Sequence, residues 1–80
     1  MVTSRTFLVE LQNRPDGITN QNITSYSTFN ATMSAFYQRC AAAVSNTTFL
    51  NVTLIVFDAD GIVYENRNIE TSYELPEVTE

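Results

Sequence analysis

Two carboxylates one residue apart, Asp58 and Asp60, follow the apolar run Leu54-Ile55-Val56-Phe57 and precede Gly61; no other part of this 80-residue chain is better equipped for chemistry. Paired carboxylates can hold a hard divalent cation through oxygen ligands. As a calcium loop of the EF-hand kind the fit is poor, because Gly61 comes two positions too soon and Glu65 arrives too early to close the loop. The other reactive side chains are few. There is one cysteine, Cys40, and no histidine, so a Cys–His nucleophile and a zinc site both lack parts. Cys40 falls within an apolar helical stripe and reads as a small core residue. Arg5, Arg14, Arg39 and Arg67 would grip an anion only if the fold gathered them, and Gly17 and Gly61 stand alone rather than in a phosphate-cradling loop.

The run Leu54 to Gly61 resembles the first motif of the haloacid-dehalogenase-type phosphatases, a hydrophobic strand ending in D-x-D-G. That resemblance implies Asp58 as nucleophile, forming an aspartyl-phosphate, Asp60 as handler of the leaving-group proton, and a bridging magnesium ion. The chain departs from the family in several places. It has no lysine to meet the phosphate, no later acidic pair to complete a magnesium site, Ile62 where the family often has threonine, and only a short stretch after Gly61. The same residues are explained as a β-hairpin turn, since Asp bonds locally to the backbone and Gly tolerates positive φ. The hairpin is the reading adopted: no enzyme, no cofactor and no metal site is expected.

Composition points the same way. An 80-residue chain makes one domain at most, burying roughly 60% of the surface its unfolded form exposes. With nine acidic residues against four basic ones, the net charge of −5 argues against nucleic acid and anionic membrane as direct partners. No apolar run approaches the roughly 20 residues that span a bilayer, and Phe7-Leu8-Val9 is too short for a signal-peptide core. A cytoplasmic setting is therefore expected. Four N-x-Thr sequons, at Asn22, Asn30, Asn46 and Asn51, follow from a chain rich in Asn, Ser and Thr.

The elements that must position these residues come from periodicity. Arg5 to Asn13 alternates as a strand, with Phe7, Val9 and Leu11 on one side and Leu8 and Glu10 on the other. Arg14-Pro15-Asp16-Gly17 gives a turn, and a second strand is expected near Gln21 to Tyr26. Phe29, Met33, Phe36, Tyr37, Cys40 and Val44 form the stripe of an amphipathic helix that Ser27 or Thr28 caps. Thr48 to Phe57 reads as a strand carrying Leu50, Val52, Leu54 and Val56 inward, and Gly61 to Ile69 as the last. Residues 71–80 form an acidic tail expected to be flexible, leaving 1–70 as a single domain.

The predicted fold is α+β: a small antiparallel sheet of three or four strands, in the order β-β-α-β-β, with one helix packed on one face. One helix cannot cover both faces. On the uncovered face the alternation places Leu8, Phe49, Ile55 and Phe57, the candidate interface for another protein or for a second copy, with a homodimer expected.

The strand ending in Val9-Glu10-Leu11-Gln12-Asn13, the Tyr26-Ser27 segment leading into Phe29 to Val44, and the Asp58-to-Gly61 hairpin resemble a loosely defined class of short proteins from phages and mobile elements of gut and other low-GC bacteria. That resemblance carries no activity with it. It suggests a non-enzymatic interaction protein of the host cytoplasm, such as an acidic inhibitor of a host defence protein. The alternatives are an oligomeric virion accessory protein, or a small nucleotide-binding sponge with Arg14, Arg39 or Arg67 at a subunit interface.

Overall fold

The computed structural model describes residues 5–74. Its elements run β1 (Thr6–Asn13), β2 (Thr19–Tyr26), α1 (Phe29–Val44), β3 (Asn51–Asp58) and β4 (Val63–Glu70). The four strands make one antiparallel sheet in the order β2-β1-β3-β4, and the helix lies across one face. This is the α+β, β-β-α-β-β architecture expected from the sequence.

Both hairpins use the same turn. In Arg14-Pro15-Asp16-Gly17-Ile18, Gly17 donates to the Arg14 carbonyl at 3.1 Å and Arg14 donates to the Ile18 carbonyl at 2.9 Å. In Asp58-Ala59-Asp60-Gly61-Ile62 the equivalent bonds are 3.0 Å each. The glycines sit at φ 90° and 85°, the left-handed conformation that closes a three-residue hairpin loop with a bulge and that other residues adopt only under strain. The D-x-D-G stretch thus repeats a turn built elsewhere in the chain around Pro15.

The helix starts where Thr28, in extended conformation, accepts a hydrogen bond from the Ala31 N–H at 3.1 Å. Its buried side is Thr32, Phe36 and Ala43, with Met33, Ala35 and Cys40 packed beside them. The expected stripe is therefore rotated. Phe29, Tyr37 and Val44 are 44%, 56% and 55% exposed. Thr32 takes an inward position because its hydroxyl is satisfied inside the helix, donating to the Thr28 carbonyl at 3.1 Å.

The core joins Phe36 and Ala43 to Leu8, Val52, Leu54 and Val56. Here the structure corrects the strand β1. Leu8 lies under the helix, and Phe7, Val9 and Leu11 point to the other face. The register aligns Leu8 with Val56 and Glu10 with Leu54, so the even-numbered residues of β1 and β3 share the helix side. Phe36 already fills that layer, and modest aliphatic side chains complete it. The two large rings, Phe7 and Phe57, stack on each other on the opposite face, 5.2 Å apart and 21° from parallel.

The inverted strand also puts Glu10 beneath the helix. Its carboxylate is met by Arg39 at 3.4 Å and by the Gln12 amide at 2.7 Å, the compensation that burying a charge requires. Phe49 is likewise corrected. It precedes β3 and packs against the core, held by the Asn46 side chain, which accepts from the Phe49 N–H at 3.0 Å. After β4, Thr71 and Ser72 are tied down, Ser72 donating to the carbonyls of Asn46 at 2.9 Å and Val44 at 2.6 Å. The remainder of the expected tail, residues 75–80, lies outside the described residues.

Candidate functional site: the open sheet face

Of the four residues assigned to the interface by alternation, the structure keeps Ile55 and Phe57 on the open face and moves Leu8 and Phe49 into or against the core. Phe7, Val9, Leu11, Ile23 and Val63 take their places. Phe7 is paired with Phe57, Val9 with Ile55 and Ile23, and Val63 with Phe57. The result is an apolar patch crossing all four strands. Val9 at its centre is only 9% exposed although no helix covers it. The neighbouring side chains alone shield it.

At one end of this face the patch gives way to hydrogen-bonded amides. Thr19 donates to the Asn13 side-chain oxygen at 2.8 Å, the Asn13 amide donates to the Asn51 oxygen, and the Asn68 amide donates to Thr53 at 2.8 Å. Among strand residues sharing this face, Glu70 at its corner is the single charged side chain. In a chain of net charge −5, that is an uneven distribution. The signal that could have found the face is Arg39. It stands 55% exposed on the flank of the helix, within reach of an acidic partner on the sheet, and Glu10 is the one β1 supplies.

Asp58 and Asp60 stand at the other side of the sheet, Asp58 committed to the turn and Asp60 exposed beside it. One Asp58 oxygen accepts from the N–H groups of Asp60 at 2.9 Å and Ile62 at 3.0 Å, and the other accepts from the Tyr64 hydroxyl at 2.7 Å. Tyr64 in turn packs edge-to-face on Phe29, with ring centroids 5.1 Å apart. A shallow cleft lined by Thr6, Phe29, Asp58, Asp60, Ile62 and Tyr64 surrounds the pair. Among the described residues no cluster of three or more His, Cys, Asp or Glu could hold a metal ion. The arginines do not converge either: Arg14 pairs with Asp16, Arg39 with Glu10 and Arg67 with Glu65. Arg67 also lies over the Phe36 ring, 5.6 Å from its centre. Burial raises the Cys40 thiol above its ordinary value, with Arg67 opposing and Glu65 adding to the shift.

The Tyr64 hydrogen bond, followed by that of the Ile62 N–H, holds Asp58 below the ordinary aspartate range, and the same bond raises Tyr64. A carboxyl depressed in the folded state stabilises above its unfolded value and loses that contribution as pH falls through the folded one. A raised phenol stabilises below its unfolded value and loses that contribution as pH rises through the folded one. The melting temperature is therefore expected to fall on the acid side below the usual aspartate range and again on the alkaline side above pH about 10. In Tyr64→Phe both limbs should shrink, the alkaline one keeping the part that the raised Cys40 thiol contributes, as read by circular-dichroism melts across pH. Unchanged limbs in that variant would remove the hydrogen bond as their cause.

Comparison of the chain with family models, with curated proteins and with solved structures finds no match, so the open face rests on its own geometry.

Proposed function

We propose that this protein is a non-enzymatic interaction module that binds another protein through the open face of its sheet. The observation that carries the reading is the patch around the Phe7–Phe57 stack, aromatic and aliphatic side chains with charge only at the margins, Glu70 at one corner and Arg5, which donates to Ser25 at 3.1 Å, at another. Contiguous apolar surface of this kind marks interaction sites in soluble domains. The engaged state of Asp58, with both oxygens occupied by the chain's own donors, supports a structural role for the D-x-D-G turn.

The uncharged centre of the face sets the chemistry of the partner. Such a complex buries apolar area and gains little from ion pairs, so it should tolerate high salt. An acidic inhibitor acting through its charge would do the opposite. Ile55→Asp places a charge in the middle of the patch without entering the core. It is expected to abolish capture of the partner from a bacterial lysate while leaving the folded spectrum unchanged. A complex that survives Ile55→Asp and dissolves as salt is raised would move the binding surface to the acidic residues and overturn this reading.

A further inference from the structure

We infer that strand β2 pairs antiparallel with β2 of a second copy of this chain, joining two sheets into one. The two free edges of the sheet are unlike. Strand β4 carries Glu65, Arg67 and Glu70 and has an irregular register beside Val63, the charges and bulges by which sheet edges avoid further pairing. Strand β2, Thr-Asn-Gln-Asn-Ile-Thr-Ser-Tyr, has eight residues with no charge, no proline and an unbroken register against β1. Nothing among the described residues pairs with its outer side.

The outward groups can be assigned. The Arg14 N–H to Ile18 carbonyl bond makes that pair a hydrogen-bonded one. Hydrogen-bonded and non-bonded pairs alternate along an antiparallel ladder, so Asn20, Asn22 and Thr24 bond to β1. The main-chain groups of Thr19, Gln21, Ile23 and Ser25 then point away from the sheet. They form an edge ready for another strand.

Side chains favour a second copy as the occupant. Ile55, Val9 and Ile23 lie in one row across β3, β1 and β2, and the row stops at the edge with Ile23 57% exposed. Opposed residues of an antiparallel pair share a face. A two-fold axis at Ile23 sets it against Ile23 of the second copy and continues the aliphatic row across six strands. Two chains of charge −5 repel each other, and an uncharged edge is where they can meet most closely. The paired sheets would present a doubled open face, with the patch proposed above intact on each half.

The test is the mass of the purified protein in solution by light scattering, together with amide exchange along β2. The wild type should run at twice its 9.0 kDa chain mass. The Ile23 amide should be protected. Ile23→Pro removes an outward N–H and keeps the β1–β2 ladder, since proline is tolerated on an edge whose N–H faces outward. It should weaken self-association by about tenfold or more, the loss of two symmetry-related hydrogen bonds. A double variant, Gln21→Lys with Ser25→Lys, sets like charges opposite each other in the same register and should give a folded monomer. This second variant decides the matter if the proline variant fails to fold. A wild type that stays monomeric, with Ile23 exchanging as an open edge, overturns the proposal. So does a dimer that keeps both β2 variants and is lost in Ile55→Asp, because the second copy then sits on the face. Partner capture lost in Ile55→Asp is a separate readout and tells failure of the face reading from failure of the edge.

Discussion

Phe36→Ala should remove a large share of the protein's stability. Phe36 is fully buried and is among the largest side chains in the core, where it meets Leu54, Val52 and Val56. Truncating a buried phenylalanine costs about 3–5 kcal/mol, through lost transfer energy and the cavity left behind. A chain of this length has a total stability of roughly 4–12 kcal/mol. The loss therefore takes a large share of the whole. Two further contacts go with the ring, the Arg67 guanidinium above it and the edge of Tyr37 at 5.4 Å. Urea titration followed by circular dichroism should show a lowered midpoint or no folded baseline. Phe36→Leu, which keeps most of the volume, should cost far less. Equal midpoints for Phe36→Ala and wild type would mean that the helix is not seated as described.

Much of the fold was legible because several signals agreed at the same residues. The helix from Phe29 to Val44 had its stripe and a capping threonine, and both hairpins had Asp-Gly turns. The phase of the helix was less legible. Thr32 is polar by type and buried in fact, and its hydroxyl is satisfied by a carbonyl of its own helix, which no hydropathy pattern reveals. Strand β2 is almost wholly polar, so it was weakly marked; pairing with β1 supplies what its side chains do not. Phe49 was misplaced because β3 starts at Asn51, after the alternation that would have carried Phe49 to the open face has ended.

The face of β1 was the costliest ambiguity for the candidate site. The odd row, Phe7, Val9 and Leu11, is the more apolar, while the even row of Thr6, Leu8, Glu10 and Gln12 holds one aliphatic side chain, so the period-two pattern favours the side that the structure leaves open. What overrides it is the register against β3 and the volume left under Phe36, both properties of the assembled sheet. The interface residues Phe7 and Val9 were hidden by that choice, while Ile55 and Phe57 were not, since β3 has an inner row of Val52, Leu54 and Val56 that is fully buried.

A pair of substitutions on β1 therefore carries more than its own energetics. Leu8→Ala empties a site 4% exposed and in contact with the core, and should destabilise by about 2–5 kcal/mol. Phe7→Ala removes a larger side chain from the open face. It gives up part of a stack with Phe57, an aromatic pairing on the order of 1 kcal/mol, together with partial burial, and should cost less than Leu8→Ala. The smaller side chain has the larger effect only if β1 turns its even residues to the helix, and chemical denaturation of the two variants reads the order directly. The reverse order would restore Phe7 to the core and leave the open face with Leu8. The same pair separates folding from function. A face held ready for a partner is cheap to alter in the free protein and costly in the complex, so Phe7→Ala should weaken binding more than folding, and Leu8→Ala folding more than binding.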